Sequence, residues 1–397
     1  MTSCVAEPQK RLGIEQLRLT NFRCYDSLTL TLDEELPPVV LTGHNGAGKT
    51  NILEAVSFLV PGRGLRSARL SDISKRTPAA RDLPPEVVAM PVEWAVSARV
   101  RSLEGVVSVG TGRTDASERR QIRIDGQSAK TQSELGMHLS AVWLTPAMDR
   151  LFNGDPASRR RFLDRLVQAF DPGHATVSSD YNYALKQWGN LLREGRLNDT
   201  WLSVLEETIA EKGVAIAAAR RDIVARLTYF LQKEPDDLFP AAVITLNGLL
   251  EDWLEQMPAI DVEERFREKL KASRHLYADG GSVQGAHTSD FSVLHREKGM
   301  DAALCSTGEQ KALLISIILA QTKAQMQEKG QCPILLLDEL AAHLDAFRRD
   351  ALFEKLLLLP AQVWLTGTDV TVFASLYQRA QFFNIKNATV ATLAEVA

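Results

Sequence analysis

The chain has few cysteines, and none of them is paired in sequence. Its 397 residues contain four, scattered along the chain: Cys4, Cys24, Cys305 and Cys332. Without a Cys-x-x-Cys pair or a dense cysteine pattern, the sequence argues against a zinc knuckle and against a disulfide framework. We therefore expect a protein of a reducing cytoplasm.

The chain also lacks long apolar runs and an excess of positive charge. No stretch reaches the roughly 18 to 20 apolar residues that cross a bilayer, and the N-terminal stretch has no continuous apolar segment. We expect a soluble, unprocessed protein with no membrane partner. The formal net charge of -4 means that any nucleic-acid contact must come from local basic patches.

Internal repeats, low-complexity tracts and alternation of aromatic with basic residues are absent as well. The last absence argues against a base-stacking groove, so that any nucleic-acid contact would be with the backbone rather than through sequence readout. A hydrophobic content of 45% over this length suffices for two or three domains.

Strand-like alternation is concentrated towards the two ends of the chain. It predicts a strand pair over 13–33, a short buried strand at 39–41 and further antiparallel strands between 97 and 124. From 156 to 231, apolar residues recur at helical spacing instead. The polar, glycine-rich stretch 273–285 is typical of a surface loop or hinge.

The C-terminal part returns to alternating helices and strands. The pattern predicts a helix over 307–329, an apolar strand at "PILLLDE", a helix around 347–358 and a strand at "QVWLTGTD". Both ends of the chain thus have α/β character, and a helical block lies between them.

The most specific motif is "TGHNGAGKTN", which fits G-x-x-x-x-G-K-[ST] at every position. Glycines let backbone N–H groups converge on a polyphosphate, Lys49 reaches the β- and γ-phosphates of ATP, and the Thr50 hydroxyl ligates Mg²⁺. The alternative is a glycine-rich turn without a ligand, but such a turn does not require the lysine and the threonine. The predicted nucleotide-binding residues are Gly43, His44, Asn45, Gly46, Ala47, Gly48, Lys49, Thr50 and Asn51.

Two acids follow an apolar run as they would at the end of a buried strand. In "ILLLDEL", Asp338 is expected at the carboxyl edge of the sheet, beside the phosphate loop, where it would bind Mg²⁺. Glu339 would orient and deprotonate the attacking water, which makes Glu339 and Lys49 the predicted catalytic residues. Alternatively, the two acids only cap a strand or begin a helix.

Upstream lies "CSTGEQKALLISIILAQ", which begins like a capped helix. Ser306 and Glu309 form a capping box, and that accounts for most of the segment. A capping box does not require Gly308, whose missing side chain leaves helix N-terminal amides open to an anion.

These residues resemble the signature sequence of ABC-type ATPases, and "AAHLD", which ends at Asp345, resembles their D-loop. The resemblance implies an α/β fold: an ABC-type P-loop ATPase head, with a mixed sheet and an antiparallel β subdomain, plus a helical second lobe. It also implies a homodimer in which each ATP lies between one subunit's phosphate loop and the other's signature helix. The signature residues that would contact ATP are Ser306, Thr307, Gly308, Glu309 and Gln310.

The opening "LRLTNFRCYDSLTL" is similar to that of DNA-repair ABC ATPases, in which the counterparts of Asn21 and Arg23 help to seat the nucleotide. Three further stretches resemble the recombination mediators of this group: "NILEAVSFLVPGRGLRSARLSDI", "TPAMDRLFNGDPASRRRFLDRL" and "GAHTSDF". The first places Arg66 at the ATP site. The resemblance implies binding to duplex DNA and to junctions of single strand and duplex, with two partner proteins that help to load a recombinase.

The resemblance predicts three segments: 1–152 and 286–397 as the two parts of the ATPase lobe, and 153–285 as a short helical lobe. The chain departs from transport ATPases at the switch histidine, where it has Thr368 and Asp369. The Q-loop glutamine is not obvious either, and the turn at 145–149 is our candidate region.

Several weaker signals have simple structural alternatives. The arginines at 63, 66 and 69 and the run at 159–161 would contribute phosphate contacts if they face outward; the alternative is a solvated face or ion pairs with Asp155 and Asp164. His287 and Asp290 would tie the helical lobe or sense nucleotide, although an isolated histidine is more often structural.

Two rival functions remain open. One is the ATPase subunit of a membrane transporter. This alternative is disfavoured because Lys49 and Ser306 are farther apart in the sequence than is usual for such a subunit. The other is a P-loop kinase for a small metabolite, against which the signature helix argues.

Overall fold

The computed structural model describes residues 11–75, 93–114, 119–195, 198–233 and 239–393. The chain divides into two compact units: 1–148 together with 325–397, and 149–324. The first unit contains two six-stranded sheets and the second contains most of the helices. The segment boundaries at 152/153 and 285/286 stay a prediction. No helix in the described part of the chain is long and apolar enough to cross a membrane.

A mixed sheet forms the centre of the first unit, in the order β15-β14-β3-β13-β12-β8. All its neighbouring pairs are parallel except β14 with β15, an antiparallel hairpin at one edge. Its strands are β3 Val39–Thr42, β8 Ala141–Leu144, β12 Ile334–Leu337, β13 Val363–Gly367, β14 Gln381–Lys386 and β15 Thr389–Thr392.

The central strands are short and buried on both faces, as their apolar sequences predicted. Because they run in parallel, their carboxyl ends meet at one edge of the sheet. The glycine-rich loop leaves β3 there and leads into the helix α1, Lys49–Ser57, while β12 ends directly before Asp338. The predicted placement of the acidic pair at this edge is confirmed.

An antiparallel sheet accompanies it, in the order β2-β1-β4-β5-β6-β7. The strands confirm the predicted pair, and the turn between β6 and β7 contains Asp125 and Gly126, which both have positive φ. Buried and exposed residues alternate, so that one face packs and the other meets solvent. The strands are β1 Gly13–Phe22, β2 Tyr25–Thr31, β4 Trp94–Ser102, β5 Gly105–Arg113, β6 Gln121–Ile124 and β7 Gln127–Ser128.

The second unit is mainly helical, as predicted, and its longest helix is α5, Asp199–Lys233. Its core gathers large apolar side chains such as Trp188, Ile209 and Phe266. Further helices are α2 Leu135–His138 in the first unit and, in the second, α3 Pro156–Phe170, α4 His174–Arg193, α6 Leu249–Leu254, α7 Ala259–Ala272 and α8 Arg274–Ala278.

Two expectations for this unit were wrong in detail. The predicted helical segment contains a strand, β9 Ala242–Asn247, which pairs with β10 Asp290–His295 and, through it, reaches β11 Met300–Asp301. The predicted loop at 273–285 begins with the helix α8. That helix is held by tertiary contacts, because Arg274 binds Glu206 through two nitrogens and the Tyr277 ring packs 4.9 Å from that of Trp188.

The last two helices confirm the sequence prediction closely. The helix α9 spans Thr307–Lys329, so that it begins in the second unit and ends in the first. The helix α10 spans Ala346–Leu358, between β12 and β13. The α/β class, with a mixed sheet, an antiparallel sheet and a helical part, is therefore confirmed.

Candidate functional site

The glycine-rich loop has the backbone geometry that a phosphate-binding loop needs. Gly43, Gly46 and Gly48 all have positive φ, a region that other residues seldom adopt. A β-carbon at Gly43 would collide with the Ile385 carbonyl oxygen, whereas one at Gly46 would meet nothing within 4 Å. The loop is therefore packed against the Ile385 backbone at Gly43, whereas His44, Asn45 and Gly46 are exposed to solvent.

Lys49 extends back over this loop, and its side chain is almost wholly buried. Its ammonium donates to the carbonyl oxygens of Gly43 at 2.6 Å and His44 at 3.0 Å. Burial lowers the pKa of Lys49, although the carboxylates of Glu339 and Asp338 act in the opposite direction. The ammonium thus lies inside the loop, within the electrostatic reach of both predicted acids.

Thr50 and Asp338 are in direct contact, as a shared magnesium site requires. The Thr50 hydroxyl is 3.0 Å from Asp338 Oδ1 and 3.1 Å from Oδ2, across 288 positions of sequence. Hydroxyl and carboxylate oxygens are the hard ligands that Mg²⁺ prefers, and Mg²⁺ usually completes its shell with water and phosphate. The residues present therefore fit a magnesium ion bound together with a polyphosphate.

A second threonine joins the acidic pair, and sequence reasoning missed it. The hydroxyl of Thr366, in β13, donates to Asp338 Oδ1 at 2.8 Å and accepts the backbone N–H of Glu339 at 2.8 Å. Glu339 has a φ of 51°, which is left-handed and uncommon for a residue with a side chain. The one signal for Thr366 in the sequence was its place as a polar residue near the end of an apolar strand, β13.

Arg23 and Arg66 meet at a buried carboxylate that the sequence did not single out. Glu54, on α1, is fully buried; it accepts Arg23 Nε at 2.8 Å and Nη2 at 2.5 Å, and Arg66 Nη1 lies 3.3 Å away. Arg66 also donates to Asn51 Oδ1 at 3.0 Å. Asn21, near the end of β1, and Arg23, in the turn between β1 and β2, both have positive φ. The predicted arginines thus flank the first turns of α1.

Replacing Glu54 should lower stability strongly. In Glu54→Gln, two guanidinium groups lose their common carboxylate while one of them remains largely buried, and removing one partner of a buried ion pair costs about 3 kcal/mol. Thermal and denaturant unfolding would measure the loss. Glu354→Gln is the matched control, because Glu354 pairs with Arg379 on the surface; its midpoint should barely move. Equal effects of the two variants would contradict the prediction.

The signature segment has the capped helix start that its sequence predicted. The Ser306 hydroxyl and N–H both donate to Glu309 Oε2, at 2.8 and 2.9 Å. The Lys298 ammonium, followed by these Ser306 donors, lowers the pKa of Glu309 to about 2. The Gln310 amide donates to the Cys305 carbonyl. Ser306 and Thr307 are exposed, and a β-carbon at Gly308 would meet nothing within 4 Å.

The remaining predicted loops have simple local structure. Asp345 caps α10 by accepting the N–H of Arg348, and Asp369 caps a 3-10 turn by accepting the N–H of Thr371. Thr368 is exposed. In the candidate Q-loop region, Asp149 forms an ion pair of 3.3 Å with the buried Lys311 of α9.

The arginine run and the "GAHTSDF" stretch bind one another within the second unit. Arg159 holds both carboxylate oxygens of Asp290 at 2.8 Å, and Arg160 donates to the Ser289 carbonyl. Arg161 remains exposed, 4.0 Å from Asp155. His287 contacts the Tyr181 hydroxyl at 2.7 Å. These contacts within the second unit account for Arg159, Arg160, His287 and Asp290. Arg159 pairs with Asp290 rather than with the expected partners Asp155 and Asp164.

Comparison with known proteins places this site in a family. A profile described as "RecF/RecN/SMC N terminal domain" matches residues 13–388. The "DNA replication and repair protein RecF" of Mesorhizobium japonicum is 46% identical over 95% of this chain and 97% of its own length. That of Rhizobium rhizogenes is 44% identical over 94% of this chain and 97% of its own length.

Solved structures show the same fold. The recombination mediator protein RecF of the RecFOR pathway, solved as "RecF-ATPrS", superposes with a TM-score of 0.81 at 23% identity, covering 97% of this chain and 99% of its own. The same mediator solved as "RecF-ATP" gives 0.77 at 22% identity, covering 96% and 99%. The profile match and the identity to curated relatives over nearly the whole chain are decisive: the chain belongs to the RecF/RecN/SMC family and, within it, to the RecF proteins.

Proposed function

We propose that this chain is an ATP-dependent DNA-binding recombination mediator. It dimerises on ATP, binds duplex DNA near single-strand gaps, and helps to load RecA together with RecO and RecR; ATP hydrolysis then resets it. The names of its relatives and the resemblance of its motifs support the DNA part. The observation that carries the ATP part is the contact of Thr50 with Asp338, because it joins the phosphate loop to the acidic pair.

ATP is the substrate that the loop fits best. The loop is open to solvent at His44, Asn45 and Gly46, and the Lys49 ammonium would supply the positive charge for the β- and γ-phosphates. Thr50 and Asp338 would hold Mg²⁺, which neutralises charge on the phosphate oxygens. Asn21, Arg23 and Arg66 stay proposed nucleotide contacts, and Glu54 fixes the two arginines beside α1.

Hydrolysis requires a base at the edge of the sheet, and Glu339 is placed to serve as one. It follows Asp338 directly, and its side chain is only partly buried, so that water can reach it. In the proposed reaction Glu339 accepts a proton from a water whose oxygen attacks the γ-phosphorus, and ADP leaves with the bond electrons. Such a base favours hydrolysis over transfer to a metabolite, which disfavours the kinase alternative.

The signature segment supports the proposed homodimer. Ser306 and Thr307 are exposed at the first turn of α9, and nothing in the same chain lies over Gly308 among the described residues. Helix N-terminal amides that remain accessible suit a phosphate. The resemblance implies that this phosphate belongs to the ATP held by the partner's phosphate loop, and that Asp345 lies close to the same interface.

The exposed face of the antiparallel sheet supports duplex DNA as the ligand. Arg18, Ser97, Gly110 and Arg123 lie side by side on four neighbouring strands. Three strand spacings put the two arginines about 14 Å apart. Both are exposed, and neither has a carboxylate partner among the described residues. Such cations, separated by small residues, suit phosphates rather than bases.

Other residues on this face are also compatible with a phosphodiester backbone. The hydroxyl residues Thr29 and Ser128 adjoin Arg18 and Arg123 in register. Glu15, on β1 of the same sheet, is paired with Arg99 and Arg101. Arg18 and Arg123 would thus supply a local basic patch on a chain whose formal net charge is -4.

Salt dependence tests the DNA part of the proposal. The wild-type protein should bind duplex DNA more tightly with ATP than without it, and the logarithm of its affinity should fall linearly with the logarithm of salt concentration. In the double variant Arg18→Gln/Arg123→Gln the slope should fall by about 2, with roughly tenfold weaker binding, because two phosphate contacts are lost. Fluorescence anisotropy on intact and gapped duplexes measures both quantities.

The control for this measurement removes the same charge elsewhere. Arg267→Gln/Arg379→Gln eliminates two arginines that are about equally exposed and are both paired with carboxylates. Its salt slope should match that of the wild type. Equal slopes for both double variants would reject the sheet face as the DNA contact, and an affinity independent of ATP would reject ATP control of DNA binding.

A further inference from the structure

Thr366 contacts both residues of the acidic pair, although it belongs to neither motif. It lies near the carboxyl end of β13 and is 1% exposed. We propose that Thr366 is a positioning residue for hydrolysis: its single hydroxyl fixes the backbone of Glu339 and the carboxylate of Asp338 relative to each other. This inference rests on the proposed ATPase function and deepens it.

The sheet register places the hydroxyl between the two acids. Strands β12 and β13 are parallel, with Leu337 opposite Leu365, so the next residue on each strand is Asp338 on one and Thr366 on the other. The Thr366 oxygen accepts the Glu339 N–H at 2.8 Å and its proton goes to Asp338 Oδ1, also at 2.8 Å. Only a group that both donates and accepts can make this bridge.

Glu339 needs such a bond because its backbone is strained. Its φ of 51° lies in the left-handed region, which is disfavoured for a residue with a side chain. Such conformations persist where the surroundings hold them, and they are frequent at functional sites. The Thr366 oxygen is the acceptor that holds the N–H of this residue. Without it, Glu339 can relax towards an ordinary φ and its carboxylate moves away from the position it would need for the attacking water.

Asp338 depends less on Thr366 than Glu339 does. The Thr50 hydroxyl contacts both oxygens of the Asp338 carboxylate independently, at 3.0 and 3.1 Å. The proposed magnesium ligands therefore stay together when the Thr366 hydroxyl is removed. Loss of this hydroxyl should consequently affect the hydrolytic step more than nucleotide binding, which appears kinetically as a fall in kcat with little change in KM.

Thr366→Val is the decisive variant, because valine has the shape of threonine without its hydroxyl. We expect kcat for ATP to fall about 10- to 100-fold, with a change in KM below about threefold. Thr366→Ser, which keeps the hydroxyl and loses the methyl group, should stay within about threefold of wild type in both. If Thr366 served only for packing, kcat would fall more in the serine variant than in the valine variant. If the valine variant is unstable, Thr366→Ala provides the same comparison with serine.

A matched control and a double variant complete the test. Thr111 is also a buried strand threonine whose hydroxyl both accepts, from Arg120 Nε, and donates, to the Gln121 carbonyl; Thr111→Val should lower stability without changing kcat. In Glu339→Gln, adding Thr366→Val should cause little further loss, because the two residues act in one step. The inference would be overturned if the losses in kcat of the two single variants multiplied in the double variant. A normal kcat in Thr366→Val, or equal losses in the serine and valine variants, would also overturn it. A wild-type protein without ATPase activity would instead reject the proposed function.

Discussion

In the Glu339→Gln variant, ATP hydrolysis should slow by about 10²- to 10³-fold, while ATP binding is retained. A positioned general base contributes a factor of this size, and glutamine keeps the shape of glutamate without accepting the proton of the attacking water. Single-turnover phosphate release measures the chemical step, and equilibrium titration with ATP measures binding. If the closed dimer opens only after hydrolysis, the variant should also remain on duplex DNA longer in the presence of ATP.

The control for this experiment is Glu255→Gln. Glu255 is exposed after α6 and only approaches Arg221, at 3.9 Å, so its loss should leave hydrolysis unchanged. A wild-type rate in Glu339→Gln would show that another group activates water. A slow rate accompanied by rapid release from DNA would leave Glu339 as the base but would separate hydrolysis from the reset of DNA binding.

The Ser306→Arg variant should lose ATP-dependent dimerisation almost completely, while each monomer still binds ATP. The exposed serine lies at the first turn of α9, and a long charged side chain there would occupy the space that a partner's nucleotide needs. The phosphate loop and the acidic pair lie elsewhere in the sequence, so affinity for ATP should remain. Analytical ultracentrifugation with ATP and magnesium, at several protein concentrations, measures the monomer–dimer equilibrium.

The substitution also removes a helix cap, which alone costs about 1 kcal/mol. Thr131→Arg separates the two effects, because Thr131 and Glu134 form another capping box, in the first unit. That variant should lose similar stability and still dimerise. Dimers of Ser306→Arg at wild-type affinity would remove the ABC-type interpretation of the signature, whereas loss of dimers in both variants would attribute the effect to the cap or to charge.

The contiguous motifs could be predicted from the sequence because their geometry is local. The phosphate loop is fixed by glycines between a buried strand and a helix, and the structure has these elements where the pattern indicated. Helix α9 was predicted over its full length, since its capping box marks the start and its apolar residues continue to the end. The meeting of Thr50 with Asp338 followed from parallel strands that end at one edge.

Isolated residues with distant partners could not be predicted in this way. Glu54 and Thr366 belong to no recognised motif, and their importance appears only when Arg23 or Asp338 is brought to them by the fold. Strand β9 is short, and its partner β10 lies beyond three helices, so no local hairpin signal marks it. Helix α8 depends on the Arg274–Glu206 pair, which local propensity does not contain.

The position of Lys49 has a consequence for which anions the loop can accept. Its ammonium already has two carbonyl partners, from Gly43 and His44, so an arriving ligand must compete for it rather than meet an unsatisfied cation. A single weak anion such as chloride offers too little in exchange. A triphosphate, with many oxygens and several charges, can replace both carbonyls at once, so we expect the loop to bind a triphosphate in preference to a small anion.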